Sequence, residues 1–151
     1  RRMAYEIYER NFAESTILLT GIGPRGGYLA DRIQRHLNEI SPLQVTRADL
    51  VKVADRNELA WETPVSVENL ASGTILIVDD VLYSGGTVVQ ALILAADLRP
   101  AKIQTAFLID RGHHLFPVTH DYVGMEMATS LKQYITVEVD PDTERAEAFI
   151  F

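Results

Sequence analysis

Apolar residues fall into two patterns along this chain. Met3, Ala4, Ile7, Tyr8 and Phe12 recur at helical spacing, with Glu6, Glu9 and Arg10 on the other faces. That spacing predicts an amphipathic helix with Asn11 in its last turn. Leu29, Ile33, Leu37 and Ile40 predict a second helix, stopped by Ser41-Pro42. Val88 to Leu98 predicts a third. Elsewhere the apolar residues run together. Ile17-Leu18-Leu19-Thr20, Ile75-Leu76-Ile77-Val78 and Ala101 to Ile109 read as strands buried on both faces. Leu50, Val51 and Val53 suggest a further strand. Val65 and Val67 alternate with polar residues, as in a half-exposed strand, and Asp55-Arg56-Asn57-Glu58 is the polar turn between them. Ile135 to Val139 and Ala148 to Phe151 predict a terminal hairpin, with Asp140-Pro141-Asp142-Thr143-Glu144 as its turn. Strands alternating with helices predict an α/β fold with a mainly parallel central sheet flanked by helices. One domain over residues 1–151 is expected.

The three buried runs end in polar segments: Gly23 to Gly27, Asp79 to Thr87, and Asp110 to His113. Ligands of open α/β sheets bind beyond the carboxyl ends of the strands, so these segments predict one active site. The middle one is the richest. Asp79 and Asp80 close an apolar run, and Ser84, Gly85, Gly86 and Thr87 follow as a small-residue loop before a helix. Small residues let backbone N–H groups approach a phosphate, and the helix start adds unpaired donors and partial positive charge. Two carboxylates repel that phosphate and suit hydroxyl groups or a metal ion beside it. A sugar phosphate satisfies both halves.

Gly21, Gly23 and Gly26 also spell a dinucleotide-binding spacing, for which Asp49 is a loose ribose ligand. Pro24 and Arg25 fit a phosphate-transfer site better. Proline stiffens the segment, and Arg25 offers a fork of donors to a diphosphate. The histidines offer less. Adjacent His113 and His114 do not make a metal pair, His36 sits among helix-surface residues, and His120 falls in a predicted loop.

Composition narrows the setting. The 151 residues are 47% hydrophobic and contain no cysteine, which excludes disulfides and thiolate chemistry. No apolar run approaches the roughly 20 residues of a membrane helix, and Arg1 to Glu6 lack the apolar core of a signal peptide. A cytoplasmic protein is expected. The chain opens as if inside a helix, so further residues are expected before Arg1. A net charge of −7 argues against strong non-specific nucleic-acid binding.

The stretch Ile75 to Thr87 resembles the phosphoribosyl-diphosphate (PRPP) signature of type I phosphoribosyltransferases: an apolar strand, two acids, then a Ser-Gly-Gly-Thr loop. Asp110-Arg111-Gly112-His113, Pro117, Asp121-Tyr122-Val123-Gly124 and Thr129-Ser130 are similar to the bifunctional pyrimidine-operon attenuators with uracil phosphoribosyltransferase activity. The resemblance runs from about Met3 to Phe151 and is weakest between Leu43 and Val67. It implies a small hood over the sheet and transfer of phosphoribose from PRPP, with Mg²⁺, to a nucleobase. Uracil, giving UMP and diphosphate, is the expected acceptor. A nucleotide-sensing regulator of pyrimidine genes with little turnover is the alternative.

By the same resemblance Asp79, Asp80 and Arg25 are catalytic, and Asp79 and Asp80 hold the ribose hydroxyls directly or through the metal. The PRPP site comprises Gly23, Pro24, Arg25, Gly26, Asp79, Asp80, Val81, Leu82, Tyr83, Ser84, Gly85, Gly86 and Thr87. Arg111, Gly112 and His113 lie near the base, and Tyr83 stands where purine-salvage members often carry an acid. Family members usually have a long loop that closes over PRPP; here only about Ala54 to Thr63 is available, a departure that bears on active-site closure and therefore on catalytic rate. A homodimer or higher homo-oligomer is expected. Attenuators bind a messenger-RNA hairpin through a basic face, with cations at positions matching His114, Thr119 and Met125. This chain lacks them, so weak RNA binding is expected.

Overall fold

The structure, a computed structural model, describes residues 1–64, 73–128, 133–140 and 145–151. Helix α1 (Arg2–Arg10) leads into strand β1 (Thr16–Gly21), helix α2 (Gly23–Ile40) and strand β2 (Gln44–Arg47). Two short strands follow, β3 (Leu50–Lys52) and β4 (Leu59–Trp61). Then come β5 (Thr74–Leu82), helix α3 (Gly86–Asp97), β6 (Lys102–Asp110) and β7 (Tyr122–Glu126). The chain closes with β8 (Ile135–Asp140) and β9 (Arg145–Ile150).

Five strands form one sheet in the order β2-β1-β5-β6-β7, and every pairing is parallel. The predicted runs behave as doubly buried strands. Ile17 and Leu19 of β1, with Leu76 and Val78 of β5, pack against α1 and α2 on one face. Leu18, Ile75 and Ile77 pack on the other, against Ala91 and Ala95 of α3 and against Leu50 and Leu59 of the β3–β4 ribbon. Strands β8 and β9 pair antiparallel as a separate ribbon. It is fixed to the sheet by Ile135 and Val137, which join Val81 and Ile109 in a third apolar cluster. This ribbon is the hood.

Some elements differ from expectation. The polar turn at Asp55 to Glu58 joins β3 to β4, because Leu50 pairs with Trp61 and Lys52 with Leu59. Val53 lies just outside β3. Residues Val65 and Val67, expected as a strand, lie outside the described residues. Strands β2 and β7 have no counterpart among the predicted runs. Both are short edge strands, where one flank meets solvent and an apolar run is not required. Trp61 packs against the core cluster of Leu50 and Leu59.

Candidate functional site

Strand β1 sends its connection to β2 on one side of the sheet, while β5 lies on its other side. The order reverses between β1 and β5, so a crevice opens at their carboxyl ends. A cleft of about 640 Å³ is found there, lined by Gly23, Pro24, Arg25, Lys52, Asp79, Asp80 and Thr87 among others.

The β1 side of the cleft is a helix start, not the expected loop. Gly23 is already the first residue of α2 and Pro24 stands in its first turn. Gly23 has φ +62°, a conformation open to glycine, and the fixed φ of Pro24 is ready for the helix. The turn is pressed on the sheet: a Cβ at Gly26 would lie 2.6 Å from the Val78 carbonyl oxygen. The Ile22 N–H donates to that same oxygen at 2.9 Å. The first turn of α2 is thereby held beside the end of β5, with Arg25 leaning over it. Arg25 Nη1 lies 3.6 Å from Asp80 Oδ2. Both residues also line a second cavity of about 240 Å³ that reaches Tyr28, Leu108, Gly124 and Val137.

The acid pair lies inside β5, not at its end. Asp79 Oδ1 accepts the Asp80 N–H and Asp80 Oδ1 accepts the Val81 N–H, each at 2.9 Å. Burial, and then the charge of Asp80, push the Asp79 carboxyl well above the ordinary carboxylate range, against a smaller opposing effect of Lys52. Val81 and Leu82 continue the strand as core residues, packed on the hood and on Val88 and Phe107 respectively. Only their backbone can meet a ligand.

The small-residue loop has the expected shape. Gly85 takes φ +88° as the N-cap of α3, and no side chain caps the helix. The Gly86 N–H meets Ser84 Oγ at 3.4 Å, and the Thr87 and Val88 N–H groups, which precede the first intrahelical bond, are open to an anion. The loop rests on a second one. Leu115 N–H and Phe116 N–H donate to the Ser84 carbonyl at 2.9 and 3.1 Å. A Cβ at Gly85 would meet Val118 at 2.3 Å.

The Asp110 segment, expected near the base, leads straight into contacts with the hood. Arg111 is buried, its guanidinium 4.8 Å above the Tyr83 ring and its Nη2 donating to the Gln133 carbonyl at 3.0 Å. Tyr83 in turn exchanges hydrogen bonds with the backbone of Ile135, whose N–H donates to its hydroxyl at 2.6 Å. Arg111 and Tyr83 thus tie the sheet to the hood. Gly112 takes φ +75° and His113 is exposed.

Spacing gave no sign of the cluster behind this segment. Buried Asp110 accepts the Gly112 N–H at 2.8 Å and contacts His114 Nε2 and His120 Nδ1, each at 2.7 Å. Burial works against the Asp110 charge, but those three hydrogen bonds outweigh it and hold the carboxyl below its ordinary value. These residues stand four and ten positions apart in irregular chain, where no periodicity marks them. Lys52 was also missed, although its place two residues after buried Leu50 is a usable signal. Asp49, the ribose ligand of the dinucleotide reading, is already occupied: it accepts the Gly21 N–H at 2.8 Å and a two-pronged contact from Arg47 at 2.7 and 2.6 Å.

Among the described residues no cluster of three or more His, Cys, Asp or Glu side chains is placed to hold a metal ion. An adjacent acid pair with one member destabilised as an anion fits a cation supplied with substrate, since Mg²⁺ is commonly held by one or two carboxylates plus phosphate oxygens and water. No described helix is long and apolar enough to cross a membrane.

Comparison with known proteins agrees with this geometry. Residues 1–142 match the phosphoribosyl transferase domain family. The chain is 39% identical over 149 residues to the Bifunctional protein PyrR of Enterococcus faecalis, covering 92% of this chain and 82% of that protein. It is 36% identical over 161 residues to the protein of the same name from Listeria monocytogenes, covering 99% and 88%. Among solved structures it superposes on the hypoxanthine phosphoribosyltransferase of Trypanosoma cruzi with a TM-score of 0.74 at 16% identity, covering 89% of this chain and 76% of that one. The hypoxanthine-guanine enzyme of Bacillus anthracis gives 0.68, also at 16% identity, with 89% and 78% covered. At such identity these two show the fold alone.

Proposed function

The chain belongs to the phosphoribosyl transferase domain family, and from that premise we propose that it transfers phosphoribose from PRPP to uracil, giving UMP and diphosphate. The observation that carries this reading is the convergence of Arg25, the acid pair and the uncapped α3 start on one crevice. Uracil is chosen over a purine because the relatives at 36–39% identity are named PyrR and because Tyr83 stands where purine-salvage members often carry an acid.

In this reading residues 1–151 act as one transferase domain. The 5′-phosphate rests on the backbone of Ser84 to Thr87 at the α3 start. Asp79 and Asp80 receive the ribose hydroxyls. Gly23, Pro24 and Gly26 bring backbone to the diphosphate, and Arg25 gives it a charged fork. Arg111, Gly112 and His113 border the base. The C1–O bond breaks with its electron pair passing to diphosphate, the bond from C1 to uracil N1 forms, and the N1 proton leaves to solvent. No covalent enzyme intermediate is needed, so positioning and charge complementarity supply the rate. Magnesium bound with PRPP, held by Asp79 and Asp80, would neutralise charge on the departing diphosphate.

A regulator with little turnover is the second reading, and one observation favours it. The turn between β3 and β4 is short and clipped to α3: Gln90 accepts the Leu59 N–H at 3.1 Å and donates to the Asn57 carbonyl at 3.0 Å. A turn so tied is not free to act as a closing lid. Incubation of the protein with PRPP, uracil and Mg²⁺, with UMP measured by chromatography, tests the first reading. Sustained UMP formation is expected. UMP binding without turnover would replace the enzyme by the sensor.

A further inference from the structure

We propose that Lys52 is a second cation for the diphosphate of PRPP, carried to the cleft by the β3–β4 ribbon and not by the helix of Arg25; this rests on the phosphoribosyl transfer reading above. Lys52 is the last residue of β3. Alternate residues of a strand share a face, so Lys52 shares its face with Leu50. Leu50 is fully buried in the core between the ribbon and the sheet. A bridge between Ile22 and Leu50 sets β3 alongside the turn from β1 into α2. Two residues further on, the same face has passed the edge of the core. Lys52 therefore emerges over the cleft, where it lines the space together with Arg25, Asp79, Asp80 and Thr87.

Its charge has no other evident use. No carboxylate of the described residues pairs with its ammonium at contact distance. The acid that feels it is Asp79, whose ionised form it favours. The cleft floor thus holds two carboxylates and its rim holds two cations, one of them already shared with Asp80. A diphosphate gathers negative charge as the C1–O bond breaks. One guanidinium leaning on a carboxylate is a poor match for that group. A flexible ammonium from the ribbon completes it. The Gln90 clip ties the ribbon that carries Lys52 to α3, the helix whose start receives the 5′-phosphate in this reading.

If Lys52 were only a counter-ion to Asp79, its loss would disturb every ligand of the acid pair alike. If it holds diphosphate, the loss is selective. Calorimetric titration of the wild-type protein, Lys52→Met and Lys52→Arg with PRPP, inorganic diphosphate and UMP, all in Mg²⁺, separates the two. Lys52→Met should bind PRPP and diphosphate about 10-fold or more weakly, while UMP changes by less than about twofold. Lys52→Arg should recover most of the loss, and thermal melting should stay within a few degrees because the side chain is exposed. Unchanged PRPP affinity in Lys52→Met, or equal losses for PRPP and UMP, overturns the inference while leaving the transferase reading intact. Failure of the wild-type protein to bind PRPP or UMP overturns that reading and this inference with it.

Discussion

Arg25 and Asp80 meet across the switch point of the sheet, Nη1 to Oδ2 at 3.6 Å. The contact joins the first turn of α2 to β5. The Arg25 side chain is 55% exposed, so as an ion pair it adds little to stability. Its importance is positional: an incoming diphosphate can take the guanidinium from Asp80 without unfolding anything. Arg25→Ala should therefore weaken PRPP and diphosphate by about 10-fold or more and UMP far less, since UMP has no diphosphate. Calorimetry with the three ligands checks this. Equal losses would assign Arg25 to the fold.

Asp79 pays for its place in stability. Burial and Asp80 raise its folded pKa above the ordinary value of 3.8. A raised carboxyl favours the folded state at low pH, and that contribution fades as pH rises through the folded value. Near neutral pH the ionised form is a burden. Asp79→Asn keeps an acceptor for the Asp80 N–H and removes the charge. It should raise thermal stability of the ligand-free protein at pH 7 by about 1 kcal/mol, or roughly 2–4 °C. Ribose binding should fall by about 10-fold or more. Melting curves with and without UMP measure both. A mutant less stable than wild type at pH 7 would show that the carboxylate is compensated.

Much of this arrangement was legible beforehand. Strands β1, β5 and β6 were plain because both their faces are buried, leaving no polar alternation to obscure the run. The small-residue loop was plain because Gly85 must take positive φ and approach Val118 closely, which leaves few residue choices. The edges were not. Gln44–Arg47 and Tyr122–Glu126 each give the core one apolar side chain, Val45 and Tyr122, and are otherwise held by pairing to a neighbour strand, a force with no apolar signature. The end of β5 was set too early, since Val81 and Leu82 follow two acids yet are core residues. Arg111 lies buried on Tyr83, a contact that the sequence does not announce. A lone arginine in a sequence does not disclose that a carbonyl and an aromatic face await it.

The Asp110 cluster underlies the loop at Ser84 and Gly85. It braces residues 112 to 120, and that segment supports Ser84 and Gly85. Hydrogen bonds hold the Asp110 pKa below 3.8, so its contribution is present above that value and lost as pH falls through the lower folded one. Asp110→Asn removes the charge and turns one acceptor into a donor. It should destabilise the protein by roughly 1.5–3 kcal/mol at pH 7, with the gap narrowing below pH 3.8. Urea unfolding at the two pH values tests the sign. A gap that widens on acidification would mean that the histidines alone brace the loop.

RNA binding is where this chain should depart most from the attenuators it resembles. Their basic face carries cations at positions matching His114, Thr119 and Met125. Here the His114 ring is taken up by buried Asp110 at 2.7 Å, so it does not face a phosphate. The Thr119 carbonyl accepts a hydrogen bond from the Thr105 hydroxyl at 2.9 Å, and its side chain has no charge. Met125 is exposed and uncharged. RNA affinity leans on neutralisation of phosphates by Lys and Arg, each contact steepening the salt dependence. Three lost cations in a chain of net charge −7 remove much of that attraction. The cleft is lined by Arg25, Lys52, Asp79, Asp80 and Thr87 among others, and positions 119 and 125 are not among its lining. The protein should bind UMP while binding attenuator-type hairpins weakly, with a dissociation constant in the non-specific range of about 10⁻⁶ M or higher at physiological salt. Filter binding at about 0.15 M salt, the physiological ionic strength, with and without UMP, is the measurement. Restoring charge with Thr119→Arg and Met125→Lys, which leave the His114–Asp110 contact intact, should tighten binding and steepen the salt slope. Tight, hairpin-specific binding by the unmodified chain, enhanced by UMP, would instead make it a full RNA regulator.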